Sequence, residues 1–289
     1  MRAERAELAE AYGDQDTRLA EGADAVSEFV ASPAYLGGLY EGGAGHLNPL
    51  KYCLGLARAA EAAGVRVFEG ARVLELDPGP RPGFRTARGR VSAGALVLCG
   101  NAYLGSLAPA LQATVMPLGS YIACTAPLGA ARARALIPGN DAVSDRFHLL
   151  NHYRLSRDRR LLFGGRVGVS APGPAELARS LRHKMLGVFP QLADVAFDYV
   201  WGGEIALTRE RTPHLGRLGN NVYFAQGYSG QGVTLSGLAG KLLAEVVAGE
   251  AERFDLFARL PHRRFPGGRL LAGPALRLAL LWYRLRDLL

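Results

Sequence analysis

The chain has 289 residues, 49% hydrophobic and 21% charged, a globular composition with room for one or two domains. Its formal charge of +8 argues little for nucleic acid, because only Lys51, Lys184 and Lys241 are lysines and the arginines are spread along the chain. Cys53, Cys99 and Cys124 are too few and scattered for a disulfide framework or a zinc site.

The opening Met1-Arg-Ala-Glu-Arg-Ala-Glu-Leu8 is a charged helical start without the apolar core of a signal peptide. No run of about 18 apolar residues is available to span a membrane, and the few scattered cysteines fit an expected reducing cytoplasm. Residues 1–35 read as helix and turn, and Tyr35–Tyr40 as a short strand. Asn48 is placed as an N-cap, Pro49 at the first helical position and Gly64 just past the end. Leu50, Cys53, Leu54 and Ala57 form the apolar stripe of that helix. Strands are predicted at Val65–Phe68 and Val73–Leu76. A hairpin over Phe84–Ala93 and a buried strand at Ala95–Cys99 follow, with the Cys53 and Cys99 thiols expected inside.

From 109 to 213, prolines divide short strands such as Tyr121–Thr125 and Leu161–Phe163, with a helix at Glu176–Val188. His148 and His152 stand four apart, but no third ligand accompanies them and the segment reads as strand, so no metal site is expected. Gly105-Ser106 and Gly119-Ser120 lack the G-x-S-x-G elbow of serine hydrolases. The tail after Phe265 places Leu276, Leu280 and Tyr283 on one face of a helix opened by Pro274, with Arg277, Arg284 and Arg286 making it basic. Packing on its own protein is the expected role, with a membrane surface or a partner chain as alternatives.

The most informative stretch is Val222-Tyr-Phe-Ala-Gln-Gly-Tyr-Ser-Gly-Gln-Gly-Val-Thr-Leu-Ser236. It is an apolar strand, a loop with Gly227, Gly230 and Gly232, and the start of a helix with Leu235, Leu238, Ala239, Leu242, Leu243 and Val246 on one face, ended by Gly249. Glycines between a strand and a helix let backbone approach a flat or anionic ligand, with helix amides aimed at it. A dinucleotide fingerprint should open a βαβ unit with a second parallel strand. No such strand follows here, so the motif reads as the last piece of a nucleotide lobe.

That loop resembles the FAD-dependent D-amino-acid-oxidase-like oxidoreductases, nearest the gamma-glutamylputrescine oxidase branch. Ordered similarities carry the resemblance from about Leu36 to the C-terminus. They include Gly45-His-Leu-Asn-Pro49, Gly100-Asn-Ala-Tyr-Leu-Gly105, Tyr153-Arg-Leu-Ser156, Phe189-Pro-Gln-Leu192, Trp201-Gly-Gly203, Pro213-His-Leu-Gly-Arg217 and Phe265-Pro-Gly-Gly-Arg269. The family's opening strand, G-x-G-x-x-G turn and acidic residue have no counterpart in residues 1–44, so roughly the first third of the pattern is expected to be absent.

The resemblance implies an α/β (α+β) fold: an incomplete FAD-binding Rossmann-like lobe with a second, mainly antiparallel-sheet substrate lobe. The expected parts are a substrate-lobe remnant over 1–44, FAD-lobe segments over 45–108 and 215–250, a substrate lobe over 109–214 and a tail over 251–289. It places Val73, Gly100 and the run Gly227, Tyr228, Ser229, Gly230, Gln231, Gly232, Val233 and Thr234 beside FAD. His46, Asn48, Trp201 and Glu204 fall on the substrate side; Asn48 and Gln231 stand where the nearest relatives carry histidine. Arg209, Arg211 and Arg217 are weighed as carboxylate ligands against plain surface positions.

The implied reaction oxidises a C–N bond of a small-molecule amine by hydride transfer to flavin, giving an imine that water hydrolyses, with O2 reduced to H2O2. No residue is assigned as catalytic base. The G-x-G-x-x-G half is expected either on a separate partner chain from a split gene or in sequence lost from the gene as read. The alternative is a non-catalytic remnant or scaffold module without flavin.

Overall fold

The computed structural model describes residues 1–147, 150–168 and 172–266, together with Pro274, Leu278, Leu281, Trp282 and Arg286. In chain order the elements begin with α1 (Arg2–Tyr12), β1 (Thr17–Glu21), α2 (Ala23–Ser27), β2 (Gly37–Glu41) and α3 (Pro49–Ala62). Then come β3 (Val73–Asp77), β4 (Gly83–Thr86), β5 (Gly89–Ser92), β6 (Leu96–Leu98), α4 (Pro109–Gln112), β7 (Met116–Thr125) and α5 (Ala130–Leu136). The remainder is β8 (Val143–Ser144), β9 (His152–Leu155), β10 (Leu161–Gly168), α6 (Pro174–Val188), β11 (Phe197–Leu207), β12 (His214–Arg217), β13 (Val222–Gln226), α7 (Gly232–Val247) and α8 (Glu252–Ala258).

The chain folds as two compact units, each discontinuous in sequence. The first is built from Met1–Tyr52 and Ser120–Gly202. Its sheet runs in the order β11-β7-β10-β9-β8, with antiparallel pairing of β10 to β9 and of β9 to β8. Pro174 opens α6, whose Leu177, Leu181, Met185 and Val188 recur at helical spacing and are all buried. Tyr153 and Phe163 stack with ring centroids 5.6 Å apart in the same core, and Phe189 meets Tyr153 edge-on at 5.0 Å.

The second unit comprises Cys53–Gly119 and the stretch from Gly203. β13 is buried at all five residues, pairs antiparallel with β12 and parallel with β6. One core holds Leu215, Tyr223 and Ala225 with Ala239, Leu242, Leu243 and Val246 of α7 and Phe254 of α8. A second gathers Leu98, Leu104, Ala108 and Leu111 with Val222 and Phe224. A strand buried on both faces in this way reads as a continuous apolar run, which Val222-Tyr-Phe-Ala is. β3, β4 and β5 form a separate antiparallel sheet.

Several expectations need correction. Residues 1–35 contain a strand, β1, which pairs antiparallel with β2. Val65–Phe68 is not a strand: it has no ladder partner, and Val65, Val67 and Phe68 lie exposed. Cys53 and Cys99 are exposed, and only Cys124 is buried. Leu238 is exposed rather than sharing the buried face of α7.

The exposure of Cys53 and Cys99 has a common physical cause. The caps of α3 form as predicted, with the Lys51 amide donating to Asn48 Oδ1 at 3.0 Å and Gly64 left-handed at φ 88°. Yet no residue of α3 is buried, and Leu50 and Leu56 are 67% and 52% exposed. β6 pairs only with β13 among the described residues, and Val97 on it is 40% exposed. An apolar helix face and an open strand edge thus stand uncovered in the same unit, save that α3 begins in the other.

Candidate functional site

All ten residues expected beside the cofactor lie in the second unit. The parallel register places Leu98 opposite Phe224, so the carboxyl ends of β6 and β13 are neighbours. Ligands of open α/β sheets settle outside such ends. Gly100 follows β6, and a Cβ there would stand 2.9 Å from Leu104 Cγ, so the turn is packed around a bare backbone. Gly227 follows β13 at φ 71°, where a Cβ would lie 2.5 Å from Thr208 Cγ2.

The loop after Gly227 is held at many points. Asn101, itself at φ 48°, accepts the Gly227 N–H on Oδ1 at 2.9 Å. The Ser229 amide donates to Ala206 O at 3.0 Å, and the Thr208 amide donates to Ser229 Oγ at 3.2 Å. Gln231 N–H returns to Tyr228 O at 2.9 Å.

The next bond, Leu235 N–H to Gln231 O, is the first of α7. The amides of Gly232, Val233 and Thr234 therefore lead the helix without an intrahelical acceptor, and no side chain caps them. Gly230, Gln231, Val233 and Thr234 are exposed. This end of a 16-residue helix can stabilise negative charge. Burial, and secondarily Cys99, push the Tyr228 hydroxyl up to about 12, so it stays protonated at neutral pH. Val73 stands in the separate β3–β5 sheet, paired with Thr86.

The substrate-side candidates are less free. Asn48 Oδ1 is consumed in capping α3. His46 Nε2–H donates to Asn140 O at 2.7 Å, which fixes its tautomer. Trp201 and Glu204 both lie on β11 and are exposed, and the Glu204 amide donates to Tyr103 Oη at 3.0 Å. Arg217 is bound to Asp255 at 2.6 Å and lies 4.9 Å over the Phe254 ring, a structural role rather than a ligand's. Sequence reasoning missed Asn101. The signal was there: an asparagine directly after a strand and a glycine is the residue type that tolerates left-handed backbone.

His148 and Leu276, Arg277, Leu280, Tyr283 and Arg284 lie outside the described residues. Among the described residues no His, Cys, Asp or Glu cluster suits a metal, and no helix is long and apolar enough to cross a membrane.

Beneath the loop, His214 and His262 stack with ring centroids 4.1 Å apart. Thr114 Oγ1 lies 3.0 Å from His214 Nδ1, and Phe224 meets the His214 ring edge-on. Burial, then His262, hold His214 down at about 4 from 6.5, with Glu210 opposing. Because the folded value lies below the unfolded one, the unfolded chain takes the proton first as pH falls. The stability is complete above about pH 6.5 and is lost progressively toward pH 4. His214 is only partly buried, so screening limits the loss to about 1–2 kcal/mol. Melting curves at pH 7.5 and 4.5 should show it, and a His214→Gln variant should flatten the difference.

The buried β13 with the glycine-bearing loop at its carboxyl end is the ligand site that the second unit offers, and the first unit carries an antiparallel sheet. Residues 1–246 match the family described as FAD dependent oxidoreductase (DAO), and the chain belongs to that family. It is 44% identical over 285 residues to gamma-glutamylputrescine oxidoreductase of Escherichia coli (strain K12), covering 98% of this chain and 67% of that protein. Two further curated relatives, 38% and 36% identical, are covered over 61% and 60% of their length. The chain thus spans about two thirds or less of these relatives. Among solved structures, glycine oxidase from Geobacillus kaustophilus superposes with a TM-score of 0.77 at 20% identity, over 92% of this chain and 71% of that one. Iminodiacetate oxidase from Chelativorans sp. BNC1 gives 0.70 at 20% identity, over 86% and 69%.

Proposed function

We propose that this chain supplies the larger part of a FAD-dependent amine oxidase whose substrate is a small amine of the gamma-glutamylputrescine kind. The observation that carries the reading is the uncapped amide end of α7, held after Gly227 in a chain 44% identical to gamma-glutamylputrescine oxidoreductase. The second unit takes the cofactor role and the first the substrate role. Bound FAD would supply the two-electron acceptor for oxidation of the amine's C–N bond, with O2 as the final oxidant.

The chain's own part is positional. Gly227 to Thr234 would hold the flavin, and the helix end there would favour negative charge on it. In the second unit Tyr228 would donate from its protonated hydroxyl; in the first, the exposed Trp201 would offer an aromatic face to an ammonium group. The open edge of β6 and the bare face of α3 receive a parallel strand, glycine-rich turn and helix, on whichever polypeptide these lie. Such elements would supply contacts to the cofactor's phosphates. A cytoplasmic setting suits the exposed thiols of Cys53 and Cys99.

The test is retention of FAD through desalting, read from absorption bands near ~370 and ~450 nm. It is run with the chain alone and with a polypeptide equivalent to the part of the E. coli relative that this chain does not cover. Retention in either mixture, with amine-dependent peroxide formation, supports the oxidase. A colourless protein in both would leave the scaffold alternative standing.

A further inference from the structure

We infer that Asn101 is the positioning residue of the cofactor loop, a role that rests on the FAD reading above. The short turn after β6 and the loop after β13 come from distant parts of the sequence and meet only because the two strands are parallel neighbours. Asn101 Oδ1 joins them by accepting the Gly227 N–H at 2.9 Å. The bond acts at the loop's first residue. Everything after it, Ser229 at φ 53° and Gly230 at φ 100° included, is then set in a sequence of unusual torsions that delivers Gly232, Val233 and Thr234 to the front of α7.

The residue type fits three demands at once. Asparagine tolerates φ 48°, it reaches backbone one residue after a glycine turn, and its oxygen is a neutral acceptor. Aspartate would satisfy the first two but bring a charged acceptor in place of a neutral one. Glycine would keep the torsion and lose the bond, so it separates the tie from backbone strain.

The experiment is amide hydrogen exchange by mass spectrometry on the full chain, with and without FAD. Asn101→Gly should speed exchange at the bonded loop amides of Gly227, Ser229 and Gln231 roughly three- to tenfold, the factor expected for one lost hydrogen bond. The buried turns of α7 around Leu242–Val246 should keep their rates, and Asn101→Asp should restore slow exchange in the loop. Unchanged exchange at Gly227, Ser229 and Gln231, or a rise shared equally by Leu242–Val246, would overturn the inference, the second by showing a general loss of stability. The FAD arm separates this from the functional reading. Protection of 227–234 by FAD in the parent chain but not in Asn101→Gly supports both. Equal protection in the two chains overturns the positioning role in binding. Absence of protection in the parent counts against FAD binding by this chain alone, and the cofactor-free exchange still decides the role of Asn101.

Discussion

Gly227→Ala is expected to destabilise the second unit by about 2–4 kcal/mol and to abolish any retained flavin. Two costs add. An alanine at φ 71° pays about 1 kcal/mol or more for left-handed backbone, and its Cβ would sit 2.5 Å from Thr208 Cγ2 in a filled site. Urea denaturation followed by fluorescence reads the loss. Thr208→Ser is the control, because it deletes the offending methyl and keeps a hydroxyl able to donate to Thr212 O, a bond of 2.9 Å in the parent. In the double variant about 1–2 kcal/mol should return. No recovery would mean that torsion, not contact, dominates at Gly227.

Phe163→Ala should cost about 3–5 kcal/mol, a large share of the stability of an ordinary domain. Phe163 is fully buried on β10, stacked on Tyr153 and packed in the core closed by α6. Its removal leaves a cavity that the β9–β10 ladder cannot close, since Leu161, Tyr153 and Phe189 are already fixed around it. Circular dichroism melts should show an earlier transition. Phe163→Leu, which preserves most of the volume, should lose markedly less.

Features decided by local chemistry were readable from the sequence. The α3 caps, the hairpin of β4 and β5, and the buried run of β13 depend on Asn48, Pro49, Gly64 and a few adjacent apolar residues. Long-range features were not readable. β1 is a strand because Leu19 finds Leu39, not because Thr17-Arg-Leu-Ala-Glu21 announces it. Val65–Phe68 has the composition of a strand and lacks a ladder.

The candidate site divides in the same way. The loop from Gly227 to Thr234 is visible as punctuation between a strand and a helix. Its tie to Asn101, 126 positions earlier, exists only through the parallel pairing. The same holds for His46, whose partner is a carbonyl at Asn140, and for Arg217, whose charge is answered by Asp255.

The parallel pairing of β6 with β13 also sets a kinetic condition. β6 has three residues, and its partner lies more than a hundred positions later in the chain. During synthesis the earlier strand must wait for most of the polypeptide before it can pair, and closing so long a loop slows productive folding. Throughout that interval both of its edges can capture a neighbouring nascent chain. The yield of native protein is then governed by a race between closure and aggregation, so slower, cooler synthesis should raise recovery without altering the equilibrium stability of the finished fold.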